Sequence, residues 1–440
     1  MLVIEFVSDK ESHLWLVDSA TGEKKLIGPK GGKENILYSW TKFGKDGRGV
    51  YVLADSGSEY QRIAYIDLST DQLTNLTTQI SWDVEQFDLS PDGRTIAFTT
   101  NEDGISALHL FDKQSRKESS TPGMPVGIIS DLEWHKNGRD LGFSLESTRA
   151  PSDAYSYNVK DHKLERWTYS EVAGLDTDTL PEPQLVRWKS FDGRSISGFL
   201  YLPPARFTGK RSVMIRIHGG PVAQSRPGFL GRISYYLNEM GIALLFPNVR
   251  GSEGYGKRFS ALDNGSLREG AYKDIGALLD WIQTRHELDA NRIMVTGISY
   301  GGHMTLAVAA YYPDRIRCAL DIVGPSNLVT FIESAQEFDR ATFREEYGDE
   351  RDPKTREFLE RIAPLNQATK ITRPLFVVAG KNDPRVAVTE SEQIVARVRK
   401  NDTPVWYLLA KDEGHGFEKK GNQDFVFYAA VLFASEYLLK

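Results

Sequence analysis

Hydrophobic positions change their rhythm once along the chain. Through about residue 170 they come as short alternating runs with turn residues between them, the pattern of half-buried β-strands. Asp46-Gly47-Arg48, Asp92-Gly93-Arg94 and Asn137-Gly138-Arg139 recur at spacings of 46 and 45 residues. Each follows a strand-like stretch holding an aromatic (Phe43, Phe87, Trp134) and precedes another strand (Val50–Leu53, Thr95–Phe98, Leu141–Ser144). Such dipeptides suit tight hairpins, because Gly and Asn tolerate positive φ. A period of ~40–50 residues with about four strands per unit is that of a β-propeller blade. Unrelated hairpins sharing a common turn would have no reason to recur in phase. One period back from Gly47 lies near residue 2, so Val3–Val7 and His13–Val17 read as the latter half of a blade. The expectation over 1–170 is a partial propeller of about four blades, N-terminally truncated.

Residues 171–184, polar and patternless with Pro181 and Pro183, read as a linker. A hairpin-like stretch follows, Leu185–Trp188 and Ile196–Tyr201, whose Asp192-Gly193-Arg194 turn is out of phase with the blades. From about 212 the rhythm becomes apolar strands alternating with longer helices. The strands are Val213–Ile217, Ile242–Phe246, Ile293–Thr296, Cys318–Val323, Leu375–Ala379 and Val405–Leu409. Ile275, Leu278, Leu279 and Ile282 mark one helix face near 270–285, and further helices are predicted near 300–311, 388–400 and 424–438. Strand–helix alternation predicts a doubly wound, mostly parallel sheet over 185–440.

Composition adds bounds. With 440 residues, 40% of them hydrophobic, the chain can bury cores for two or three domains without a metal or disulfide staple. The 54 basic and 60 acidic residues are interspersed, with a net charge of -6. That balance argues against a nucleic-acid-binding stripe or a membrane-seeking helix. No apolar run approaches the ~18 residues of a membrane span. Cys318 is the one cysteine, so no intramolecular disulfide forms. The opening Met1-Leu2-Val3-Ile4-Glu5-Phe6 is too short an apolar run for a signal peptide, which favours a cytoplasmic location. No metal or cofactor is expected, nor a nucleic-acid or membrane partner, while a homo-oligomer stays open.

Gly297-Ile298-Ser299-Tyr300-Gly301 is a G-x-S-x-G directly after a buried strand and at the start of a helix. That context turns a weak motif into a nucleophile elbow, where flanking glycines let a tight turn lift the serine above the sheet. An acid and a base must follow in chain order. Asp383 lies just past strand Leu375–Ala379, and His415 is the one histidine C-terminal to it. Asp412 and Glu413 rival Asp383 as the acid, but so near His415 they are expected on a shared loop facing solvent. His303, four residues past Ser299, points down the helix as a packing residue. In this scheme His415 takes the serine proton and Asp383 holds the imidazole. The Tyr300 N–H supplies one oxyanion donor, and the His218-Gly219-Gly220-Pro221 loop after Val213–Ile217 is expected to supply another.

Together, His218-Gly219-Gly220-Pro221, Asn248-Val249-Arg250-Gly251-Ser252-Glu253-Gly254-Tyr255-Gly256, the segment Gly297–Thr305, Asn382-Asp383-Pro384-Arg385-Val386 and Gly414-His415-Gly416 resemble the prolyl oligopeptidase family, in its acylaminoacyl-peptidase-like and dipeptidyl-peptidase-like branch. The resemblance is close over 185–440 and looser over the blades. It implies an α/β-hydrolase domain whose cleft a propeller caps, admitting short peptides. It also implies Ser299, Asp383 and His415 as triad, Gly220 and Tyr300 as oxyanion donors, and Arg385 as a grip on a substrate carbonyl or carboxylate, a role that suits a guanidinium fork. A loop ion pair is the alternative role for Arg385. Tyr300, Val323 and Phe331 serve equally as walls of an apolar pocket or as core. Two departures stand out. Many relatives carry an aromatic where His303 stands, and residues 1–170 lack the paired glutamates that bind a free substrate amine in the dipeptidyl branch. Glu345-Glu346 lies in the hydrolase part and does not replace them. The expected activity is hydrolysis of short peptides through an acyl-enzyme. The alternatives are a carboxylesterase on the same fold and a propeller-based binding protein with an inert hydrolase domain.

Overall fold

The computed structural model describes residues 1–8, 10–29 and 35–440. These fold as two compact units. The first comprises Met1–Thr177 with two short returns of the chain, Arg226–Leu230 and Gly254–Arg258. The second comprises Asp178–Ser225, Gly231–Glu253 and Phe259–Lys440.

The first unit is a series of antiparallel sheets, each a partial-propeller blade. Three are four-stranded and cover Tyr38–Asn75, Asp83–Ser120 and Ile128–Arg166. The sheet before them has three strands, Leu2–Ser8, Glu11–Val17 and Lys24–Leu26, one more than the two read from the pattern. The extra strand, Lys-Lys-Leu, is exposed throughout and so leaves no hydrophobic signal. The repeated triplets form the turn between the first two strands of each four-stranded blade. Gly47, Gly93 and Gly138 all have φ of 67–69°. The side chain preceding each glycine accepts from the N–H of the arginine after it, at 3.1, 3.0 and 2.9 Å. A self-contained turn of this kind explains why the triplet marks the period. Successive blades are tied one period apart, for Asp88 accepts from Lys42 Nζ at 2.6 Å and from the Trp134 N–H at 2.7 Å.

The second unit is built on one eight-stranded sheet: β1 (Gln184–Lys189), β2 (Ser195–Tyr201), β3 (Arg211–Ile217), β4 (Ala243–Asn248), β5 (Leu288–Ile298), β6 (Cys318–Ile322), β7 (Leu375–Gly380) and β8 (Val405–Ala410). The spatial order is β1-β2-β4-β3-β5-β6-β7-β8. Strands β3 to β8 are mutually parallel, and β2 runs against both of its neighbours. The out-of-phase hairpin is therefore the antiparallel edge of this sheet. Helices α1 (Glu269–Gln283), α2 (Tyr300–Tyr311), α3 (Leu328–Ser334), α4 (Glu337–Tyr347), α5 (Pro353–Ile362) and α6 (Val388–Val398) lie in the connections, and α7 (Lys420–Tyr437) follows β8. Ile275, Leu278, Leu279 and Ile282 of α1 are fully buried, as their spacing predicts. Cys318 is buried and unbridged, and burial pushes its thiol up to about 12, so it is held as an inert thiol. Among the described residues no helix is long and apolar enough to cross a membrane.

Candidate active site

Ser299 occupies the single residue between β5 and α2, with φ 59° and ψ −121°. An L-residue there costs ~1–3 kcal/mol of backbone strain, which persists only where the surroundings fix it. The fixing bonds are the Ser299 N–H to Ile322 O at 2.9 Å and the His303 N–H to Ser299 O at 3.0 Å. A Cβ added to Gly297 would overlap the Gly301 backbone, and one on Gly301 would overlap Ile217 O and His218 O. Both glycines are thus imposed by the close approach of β5, α2 and the end of β3. Tyr300 opens α2, so its N–H has no intrahelical partner and lies at the positive end of the helix.

Asp383 follows β7, and His415 follows β8. One Asp383 oxygen, Oδ1, accepts from the Arg385 and Val386 N–H groups at 2.8 and 2.9 Å. The other, Oδ2, meets His415 Nδ1 at 2.7 Å. The carboxylate is 1% exposed and the imidazole 19%. This bond fixes the tautomer with Nδ1 protonated and leaves Nε2 on the far side of the ring. Ser299, Asp383 and His415 therefore all follow C-terminal ends of parallel strands, on one edge of the sheet, where α/β sites form. No hydrogen bond joins Ser299 to His415 among the described residues.

The rival carboxylates are engaged elsewhere. Asp412 pairs with Lys419 Nζ at 2.5 Å. Glu413 does not face solvent as expected: it is buried and accepts from the Glu418 and Lys419 N–H groups and from Asn422 Nδ2 at 2.9, 3.0 and 2.8 Å. It serves the unpaired amides at the start of α7.

The glycine loop after β3 runs alongside the nucleophile. A Cβ on Gly219 would lie 3.5 Å from Ser299 Cβ, and Gly220 has φ 117°. His218 braces this loop, with Nδ1 2.7 Å from Gly219 O and Nε2 2.8 Å from Ser252 Oγ. Burial lowers the pKa of His218. Asn248, fully buried, accepts from the Ser225 N–H at 2.7 Å and donates to Ser225 O at 3.0 Å. Ser252, to which the sequence reading gave no role of its own, thus supports the loop through His218, and Asn248, likewise without a role, ties down the chain just past it at Ser225. Their signal was the motif itself, whose polar residues had no surface pattern.

Arg385 is exposed, and among the described residues its guanidinium makes no ion pair. Val323 is 2% exposed with φ 48°, and Phe331 is 4% exposed against Phe343 and Tyr347, at centroid distances of 4.6 and 6.0 Å. Both are buried, and Phe331 belongs to the same hydrophobic cluster as Tyr300. His303 is wholly buried between Tyr272 OH (2.6 Å) and Pro325 O (2.8 Å), and burial lowers its pKa to about 4. Burial likewise raises the Asp321 carboxyl well above the usual range; one oxygen accepts from the Gly324 N–H at 3.0 Å. Glu390, unsuspected from sequence, is buried and joins α6 to the loop after β6. It accepts from the Ser326 and Asn327 N–H groups at 2.9 Å each and from Thr330 Oγ1 at 2.5 Å. Its partners are some 60 residues away, beyond the reach of any local pattern.

A strained serine between a parallel strand and a helix, in a sheet of this order and after propeller blades, defines the α/β-hydrolase class with an N-terminal propeller. Within that class, residues 229–440 match the model of the family described as Prolyl oligopeptidase family. It is 32% identical over 402 residues to dipeptidyl aminopeptidase BIII of Pseudoxanthomonas mexicana, covering 86% of this chain and 56% of that protein. It is 31% identical over 305 residues to dipeptidyl peptidase family member 6 of Caenorhabditis elegans, covering 63% and 41%. The chain thus spans about half the length of the curated relatives it matches. Among solved structures, a puromycin-hydrolyzing peptidase of Mycobacterium tuberculosis superposes with a TM-score of 0.84 at 20% identity, covering 97% of this chain and 65% of that one. An acylaminoacyl peptidase of Pyrococcus horikoshii gives 0.80 at 20% identity, covering 99% and 69%. These two likenesses carry the fold.

Proposed function

We propose that the chain hydrolyses short peptides through an acyl-enzyme formed on Ser299. The Asp383–His415 contact at 2.7 Å, on the sheet edge that also bears the strained Ser299, carries this reading. His415 Nε2 accepts the Ser299 hydroxyl proton as Oγ attacks the scissile carbonyl, then returns it to the leaving amine. Asp383 holds the ring and stabilises the imidazolium. The tetrahedral oxyanion is met by the Tyr300 N–H and by the Gly220 N–H of the glycine loop. Water repeats the sequence on the ester to release the acid. Arg385, exposed two residues past Asp383, offers its fork to a substrate carbonyl or carboxylate. Val323 and Phe331, with Tyr300, back the side chain at the cleaved bond.

Both relatives named above carry dipeptidyl names, which favours release of units from a free N-terminus. A panel of free-amino dipeptide anilides, acetyl-amino-acid anilides and p-nitrophenyl esters tests this. Turnover of anilides, lost in Ser299→Ala and weakened in Arg385→Ala, is expected. Turnover of esters alone, with Arg385→Ala silent, would make the protein a carboxylesterase.

A further inference from the structure

Arg268 is fully buried, an unusual state for a guanidinium, and it lies outside the triad and the glycine loop. Its Nη1 pairs with the Asp263 carboxylate and donates to Tyr300 OH at 2.9 Å. Its Nη2 donates to Glu346 Oε1 at 2.5 Å and to Glu346 O at 3.1 Å. The Tyr300 hydroxyl in turn donates to Asp263 Oδ2 at 3.1 Å. The guanidinium carbon also sits 5.1 Å from the Tyr300 ring centroid and 4.8 Å from that of Tyr347. Three distant segments therefore converge on one side chain: the turn at 263–268, the first residue of α2 and the last turn of α4.

As a stabilising device this cluster is a poor bargain, since buried ion pairs often do no better than well-packed apolar residues. What it supplies is direction. A planar fork of fixed donors holds several partners at once in one geometry, which no apolar contact does. The Tyr300 phenol is held at both its donor and its acceptor side, and its ring is held by the guanidinium. The backbone N–H of the same residue adjoins Ser299. We propose that Arg268 is a positioning residue: through the Tyr300 phenol it orients the Tyr300 N–H toward the oxyanion. This inference rests on the reading of Ser299 as nucleophile.

Tyr300→Phe keeps the ring and the backbone N–H and removes both hydroxyl bonds. Arg268→Met removes the fork, and Arg268→Lys keeps the charge without it. Rates on a peptide anilide are taken per active site, titrated with a fluorophosphonate, so that any unfolded fraction drops out. Loss of a whole oxyanion donor costs ~10²–10³ in kcat, so a misdirected one is expected to cost about tenfold. The expected pattern is that loss in kcat for Tyr300→Phe and Arg268→Met, with KM within about twofold, Arg268→Lys intermediate, and the double variant no worse than Arg268→Met alone. Per-site kcat unchanged in Tyr300→Phe, losses residing in KM, or losses that multiply in the double variant would each overturn the proposal. If Arg268→Met does not fold, Tyr300→Phe decides alone. A wild-type protein that takes no fluorophosphonate would instead overturn the Ser299 reading beneath it.

Discussion

Single residues in this site are set by burial and by where their hydrogen bonds go. In His303 the neutral ring satisfies both nitrogens, Nδ1–H donating to Pro325 O and Nε2 accepting from Tyr272 OH. Burial strips a charged imidazolium of its water, which is why the folded pKa drops to about 4. In the unfolded chain the ring titrates near ~6.5. Below that pH the unfolded state gains a proton that the folded state refuses. Stability therefore falls as pH drops from ~6.5 to about 4, by up to ~3 kcal/mol from this residue, and the contribution levels off below. Urea unfolding of His303→Gln should show a slope against pH shallower than wild type by up to one proton in that window; identical slopes would refute it. The packing role of His303 was legible from its place on the helix, whereas its partners Tyr272 and Pro325 were not. The same holds for the acid. Chain order and the nearness of Glu413 to His415 pointed to Asp383, but the burial of Glu413 was not legible, because it depends on how the turn before α7 presents the Glu418 and Lys419 amides.

At the scale of elements, apolar runs gave the strands of the second unit within two residues at most ends; β5 (Leu288–Ile298) is longer because its N-terminal extension interrupts the apolar run with Asp289, Asn291 and Arg292. Helices α3, α4 and α5 left little trace. Their 328–362 segment is dominated by charged residues, and only a few side chains, among them Phe343, Glu346, Tyr347, Leu359 and Ile362, are buried in α4 and α5. The glycine loop illustrates the converse: its motif was plain, but its support was visible only in three dimensions. Asn248 holds the chain just past the loop through two bonds to Ser225, and deleting one partner of such a buried pair costs roughly 1–3 kcal/mol. Asn248→Ala is therefore expected to lower kcat toward anilides by about tenfold while Asp383 and His415 stay in place, because a loosened loop misplaces an oxyanion donor. A variant that loses stability but retains wild-type kcat would separate the loop from the chemistry.

For the whole molecule, periodicity was the most informative feature of the first unit. The in-phase triplets fixed the blades because each is a self-sufficient turn, while the short exposed strand Lys24–Leu26 was lost for want of apolar residues. Within the second unit, Ser299, Asp383 and His415, far apart in the chain, follow the C-terminal ends of β5, β7 and β8, and that convergence is the core of the functional account. Its direct test is labelling with a fluorophosphonate followed by peptide mapping. The wild-type protein is expected to carry one adduct, on Ser299, and Ser299→Ala none. Asp383→Asn should react about 10⁴-fold more slowly, because asparagine favours the wrong imidazole tautomer. A folded wild-type protein that takes no label, or an Asp383→Asn variant that labels at the wild-type rate, would contradict the account.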